Sequence, residues 1–430
     1  VRLLSEDWSG TLVLVGPSGE IARAVVPEAR LTARPIPGQG LERSRLIESL
    51  AASAAHIVRS QNRYRHSPVS GGLYLFYDLD AKVYRSPHWI WGWGPAVKML
   101  LEAAKIPEVA SRFQPGELVR VADEIGRMSL RSADNEVLPG MPLSRWDRGN
   151  DMEYGHLEAY SPADTGFLMG WAWIPLYEAT GDRAYLEASK KLAGVLERLT
   201  REFSLMPQNY WAASRSWGDV TIDESGFGTE GIAELYRVTR EEHYRELGRV
   251  YMRQHLAAME RPDGLWDRGW SRTRGQRLPS AKMTRGLGWA MEGLLACQRM
   301  DPEGDWLARA IRLGDHLLAA QHPGGHFSFN FDRPTEEVGF TAKGTALWSL
   351  LFSGAYGASG EQRYLEGSRR ALRWCLDNQY AGPDPEAHGG LPGVSPHSAA
   401  GYRPFSRVSC AYGAGFFGLA VAEELKRAPR

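Results

Sequence analysis

The sequence predicts an all-α fold, an (α/α)6 barrel preceded by a short β extension. Two observations carry this: six segments repeat as amphipathic helices with one wet face, and six others are apolar nearly all round. The two kinds alternate at roughly sixty-residue steps, and such an alternation closes most economically into a double-walled ring.

Residues 1–40 stand outside the repeat. "GTLVLVGPSGEIARAVV" reads as two strands around a GPSG turn, so 1–40 is expected to form a β-hairpin extension and 41–430 the barrel. The first wet-faced helix is expected over 41–61 ("LERSRLIESLAASAAHIVRSQ") and the second over 115–132. The others fall over 180–199, 239–259, 303–321 and 359–379, each with a polar start and apolar residues three or four apart.

Between them lie 91–105, 163–179, 223–238, 284–300, 340–357 and 407–425, rich in Gly and Ala near their starts. Helices of that composition can pack closely against neighbours on both sides, so they form the inner wall. Segments following outer helices, such as 70–80, 262–270 and 323–332, carry Gly turns and aromatics and read as short hairpins. Because each leads into the N-terminus of an inner helix, all six gather at one end of the ring. A pocket belongs there.

The bulk composition narrows the function classes. Lys plus Arg equals Asp plus Glu at 51 each, which argues against a polyanion-binding surface and hence against nucleic acid. No run of about 18 apolar residues exists, so no membrane span is expected. Cys297, Cys375 and Cys410 are odd in number and widely spaced, which fits buried thiols in a reducing cytoplasm better than a disulfide framework. Cytoplasm is the default expectation, although a chain opening on Val leaves room for a removed leader. The 15 Trp and 17 Tyr suit stacking on sugar faces.

The first residues of the inner helices aim free N–H groups and the positive dipole end at the shared mouth. Read in order they include His88, Trp91, Asp164, Asp223, Glu224, Lys282, Arg285, Trp289, Lys343 and Tyr412. Asp164 and Asp223 have an ordinary reading as helix caps. At the same place in adjacent repeats they also suit a pair of carboxylates flanking one sugar bond, with Glu224 as a third acid. Arg285 and Lys282 suit a substrate carboxylate, which Arg can grip bidentately. His88, Trp91, Trp217, Trp289 and Tyr412 are candidates for binding the sugar.

"PADTGFLMGWAWIPLYEATGDRAYLEAS", "IDESGFGTEGIAELYRVT" and "TRGLGWAMEGL" together resemble glycoside hydrolase families 88 and 105, the unsaturated glucuronyl and rhamnogalacturonyl hydrolases. The matching residues are Asp164, Asp223 and the run Arg285, Gly286, Gly288, Trp289; Glu224 and Leu287 depart from the family pattern. The resemblance implies an (α/α)6 barrel acting on oligosaccharides without metal or organic cofactor. It further implies protonation of the C4=C5 double bond of a terminal unsaturated uronic acid and addition of water at C5. Asp223 would be the acid/base and Asp164 its partner, holding the uronate hydroxyls or tuning the proton. A conventional glycosidase on a saturated glucuronide, a polysaccharide lyase and a sugar 2-epimerase remain open on the same barrel.

Overall fold

Short turns at one end of each hairpin of helices decide where the long connections go. "Thr-Gly-Asp" at 180–182 and "Ser-Gly-Glu" at 359–361 reverse the chain in three residues, with Gly181 and Gly360 in the left-handed region at φ 74° and 73°. Gly adopts that conformation without a Cβ clash, which ends the inner helix and starts the outer one. All long segments are thereby left at the opposite end.

The computed structural model describes residues 40–67, 69–86, 88–146, 158–279, 283–393 and 407–428, and the backbone of three strands nearer the N-terminus. Those strands, Arg2–Asp7, Thr11–Val15 and Ile21–Val25, form an antiparallel sheet in sequence order. The two expected strands are present, and Arg2–Asp7 adds a third. The residues linking this sheet to the barrel, and so the expected boundary near 40, lie outside the described residues.

Outer helices are α1 (Arg43–Arg59), α3 (Glu117–Ala133), α5 (Arg183–Phe203), α7 (Glu242–Met259), α9 (Trp306–Ala320) and α11 (Gln362–Asn378). Inner helices are α2 (Trp93–Ala104), α4, α6 (Asp223–Thr239), α8 (Thr284–Met300), α10 (Ala342–Ser359) and α12 (Ala411–Arg427). α4 runs as Pro162–Leu168, a π-helical turn Met169–Trp173, and Ile174–Thr180. The wider turn precedes Pro175, which has no N–H to give the regular ladder. α12 packs on α1 and α2, which closes the ring. The last inner helix starts at Ala411 rather than 407 because Val408–Cys410 is drawn into a strand against Phe76–Asp78.

Inner helices touch through backbone. A Cβ on Gly166 of α4 would stand 2.7 Å from the Cα of Gly228 in α6 and 3.0 Å from the Phe227 carbonyl oxygen. Down the barrel axis the space is filled by rings from four inner helices: Phe167 stacks on Phe227 at 4.2 Å, Phe227 meets Trp289 at 4.4 Å, and Trp289 meets Phe416 at 5.8 Å. The barrel is therefore plugged, and the bowl above the plug is floored by aromatics.

At the mouth the connections pair into small sheets. Phe76–Asp78 and Val83–Arg85 form the hairpin expected over 70–80. Gly269–Ser271 pairs with both Gln276–Arg277 and Val220–Thr221, so the hairpin expected within 262–270 lies a few residues later. The stretch 323–332 holds only isolated bridges, Met283 to Asn330 and Ser328 to Phe340.

Candidate active site

The capping geometry at the head of α4 releases its acid. Ser161 is the cap, its hydroxyl oxygen accepting from the Asp164 N–H at 3.2 Å, so the Asp164 carboxylate is not used to close the helix. At the head of α6 a Thr-x-x-Glu pattern does similar work. Glu224 reaches back to accept from the Thr221 N–H at 3.1 Å and from its hydroxyl at 2.9 Å, as the acid of a capping box does. Asp223 is left half-buried at the cavity wall, accepting from Thr221 Oγ1 at 3.2 Å and from Arg268 Nη2 at 3.4 Å. Pairing of Val220–Thr221 with Gly269–Ser271 brings Arg268 there.

Both acids line one cavity of about 1050 Å3, counting its solvent-filled mouth. With them stand Trp89, Trp91, Arg145, Gln208, Asn209, Glu224, Arg268, Arg285, Trp289, Lys343 and Tyr412. Of the residues singled out in the sequence, Asp164, Asp223, Glu224, Trp91, Arg285, Trp289 and Tyr412 are thus brought together. Lys282 lies outside the described residues.

Glu224 lines the bowl but is engaged at its wall, and two other expectations, His88 and Trp217, need correction. Glu224 is fully buried and tied to Thr221, with its second oxygen buried and unpartnered. Desolvation, reinforced by Asp223, lifts its carboxyl well above the usual range.

His88 does not line the cavity. The extended backbone at Trp89 sends alternate side chains to opposite sides, so Trp89 faces the bowl while His88 is buried. Its Nε2 lies 2.6 Å from the Leu143 carbonyl, its ring meets Trp93 edge-on, and burial brings it down to about 4, so it is neutral. Trp217 is likewise outside the lining, packed at the sheet edge against Tyr210 and Phe203.

Arg145, Arg268, Gln208 and Asn209 were missed as sugar-contacting candidates because they sit on the connecting segments, where no periodicity marks an inward face. Lys343 was visible at a helix start. Its Nζ lies 3.6 Å from the Trp91 ring centroid, 5.0 Å from Trp289 and 5.5 Å from Tyr412.

Arg145, Arg268, Arg285 and Lys343 share the described lining with Asp164, Asp223 and Glu224. Burial, then the neighbouring Asp223 charge, pushes Asp164 up to about 7 against the opposing pull of Arg145 and Lys343. Burial thus biases Asp164 toward its protonated form relative to a free carboxylate.

Comparison with known proteins agrees on the architecture. Solved structures that match include an unsaturated glucuronyl hydrolase specific for heparin, 13% identical with a TM-score of 0.66, the match covering 90% of this chain and 99% of that one. A possible family 105 member from Salmonella enterica serovar Paratyphi A is 16% identical at TM-score 0.62, with 96% and 98% covered. Cellobiose 2-epimerase from Spirochaeta thermophila is 16% identical at TM-score 0.65, with 93% and 99% covered. At such identities these likenesses establish the (α/α)6 barrel alone. No curated protein matches by sequence. No helix among the described residues is long and apolar enough to cross a membrane. The model of Glycosyl Hydrolase Family 88 matches residues 149–428, about two thirds of the sequence and every helix from α4 onward. The chain is a glycoside hydrolase and belongs to that family.

Proposed function

We propose that the protein removes a terminal 4,5-unsaturated uronic acid from an oligosaccharide by protonation and hydration of the double bond. The observation that carries this reading is that Asp164 and Asp223 line one bowl together with Arg145, Arg268, Arg285 and Lys343. Basic side chains can pair with a sugar carboxylate, and two carboxyl groups in unlike environments supply the proton chemistry.

In this scheme Asp223 gives a proton to C4, water attacks C5, and Asp223 recovers a proton from that water; the hemiketal then rearranges and releases the leaving sugar. Asp164 is the partner. While protonated it can donate a hydrogen bond to a sugar hydroxyl. Arg285 reads the uronate carboxylate, and Trp91, Trp289 and Tyr412 supply apolar faces for the ring.

The test is incubation with lyase-generated unsaturated disaccharides while following the far-ultraviolet absorbance of the conjugated double bond. Loss of absorbance with release of a monosaccharide is expected. Stable absorbance together with cleavage of a saturated glucuronide would move the assignment to a conventional glycosidase.

A further inference from the structure

We propose that Arg268 is a positioning residue for Asp223: it pins Oδ2 of that carboxyl, so Oδ1 is the oxygen that gives the proton to the sugar and takes one back. The inference rests on the reading of Asp223 as acid and base given above.

Arg268 immediately precedes the strand Gly269–Ser271, and backbone fixes its place on both sides. Its carbonyl accepts from the N–H of Ile222, the residue before Asp223, at 3.0 Å, and its own N–H donates to the Pro279 carbonyl at 2.8 Å. The next glycine permits this approach. A Cβ on Gly269 would stand 2.1 Å from the Val220 carbonyl oxygen, far inside contact distance, so a larger residue would push the strand, and Arg268 with it, away from the head of α6. Among the described residues the guanidinium has one ion-pair partner, Asp223, and its Nη1 is buried without a hydrogen bond. Asp164 and Lys343 interact with Asp223 through charge, without a hydrogen bond to it among the described residues.

Both bonds that Asp223 accepts, from Arg268 Nη2 at 3.4 Å and from Thr221 Oγ1 at 3.2 Å, end on Oδ2. Oδ1 accepts none among the described residues, and the side chain lines the bowl with 23% of its surface exposed. The terminal torsion of an aspartate is broad, so an unanchored carboxyl can exchange its two oxygens. Donors held on one oxygen remove that freedom. Arg has donors only, so the oxygen it faces stays an acceptor, and a proton on Asp223 sits on Oδ1. In the hydration scheme the Oδ1–H bond breaks as the C4=C5 electron pair forms the new C4–H bond. The electron-poor C5 then takes the oxygen of water, and the proton that water gives up returns to Oδ1. One oxygen serves both transfers when the carboxyl keeps its orientation between them.

The experiment compares wild type with Arg268→Met, which keeps an apolar stem and removes the donors. Kinetics use a lyase-generated unsaturated disaccharide, D-glucuronate is the binding probe, and crystal structures of both proteins show the Asp223 carboxyl. Arg268→Met should keep its circular dichroism spectrum, lose about thirtyfold or more in kcat, and hold KM and the Kd for glucuronate within about threefold. Its Asp223 carboxyl should be turned from the wild-type orientation or spread over two. Arg268→Lys, whose shorter side chain keeps the charge but loses reach, should show the same split at smaller size, and it carries the test if the Met variant does not fold. A KM or Kd that rises about tenfold with kcat unchanged makes Arg268 a reader of the substrate and overturns the inference, as does a fall in kcat with Asp223 unmoved. If wild type leaves the unsaturated disaccharide intact and cleaves a saturated glucuronide instead, the hydration reading fails; the role of Arg268 is then decided by the same split on that glucuronide and by the turned carboxyl.

Discussion

Thr221 donates both its backbone N–H and its hydroxyl to one oxygen of Glu224, at 3.1 and 2.9 Å. That relationship separates two adjacent acids that the sequence alone does not distinguish. Glu224 is consumed in starting α6, whereas Asp223 is turned toward the cavity and the guanidinium of Arg268. Glu224→Gln keeps an acceptor for Thr221 and is expected to retain activity within about threefold of wild type. The sign for stability follows from the raised carboxyl. The folded state favours the protonated form, so stability falls as pH rises past the free-glutamate value of about 4.3, and the amide removes that loss. Glu224→Gln should therefore melt at least as high as wild type at pH 7; collapse of kcat with an intact fold would return Glu224 to the chemistry.

Asp223→Asn should behave in the opposite way. The amide fits the same space beside Thr221 but cannot trade a proton, so kcat is expected to drop by at least about a thousandfold with the circular dichroism spectrum and melting temperature little changed. Turnover near the wild-type rate would remove Asp223 from the mechanism.

Asp164 gives the reaction its alkaline limb. Its carboxyl titrates near 7 because burial and the Asp223 charge disfavour ionisation. Above that pH Asp164 turns a negative charge toward the substrate carboxylate, so kcat/KM should decline through pH 7 to 8. In Asp164→Asn, activity falls by about a hundredfold, and what remains should lack that inflection. Since the folded pKa is raised, wild type also loses stability between about pH 4 and pH 7, a loss the Asn variant escapes. An alkaline limb that survives in Asp164→Asn belongs to another group.

Arg285→Ala should raise KM for the acidic substrate by about tenfold to a hundredfold with a smaller effect on kcat, because the guanidinium binds a charge present in ground and transition states alike.

The repeat was legible because burial on both sides leaves a composition that nothing else on the chain shares. All six inner helices lie within a few residues of their expected spans, and Asp164 and Asp223 follow from their place at helix starts. Arg145 and Arg268 were not legible, since they reach the bowl through strand pairings between segments far apart in sequence. His88 shows the same limit from the other side. One residue of strand alternation decides whether it or Trp89 faces the bowl, and no helical period fixes that register.

The spacing of the two carboxylates depends on a contact one turn below them. Gly166 lies two residues after Asp164 in α4, and its α-carbon region sits against Gly228 and the Phe227 carbonyl of α6, the helix that Asp223 begins. The neighbour is backbone on both counts, so an added methyl cannot be absorbed by turning a side chain. Gly166→Ala must wedge α4 from α6, with an overpacking cost of about 1–3 kcal/mol. Because both acids ride on those helices, the same wedge moves them apart, and a shift of about 1 Å is enough to cost on the order of a hundredfold in rate. The expected result is a lower melting temperature together with a kcat loss larger than any change in KM. Gly194, mid-way along the outer helix α5 with open space where its Cβ would stand, is the control. Gly194→Ala should stabilise by up to about 1 kcal/mol through helix propensity and leave kcat alone. If Gly166→Ala lowers the melting temperature but spares kcat, the distance between Asp164 and Asp223 is not what this contact controls.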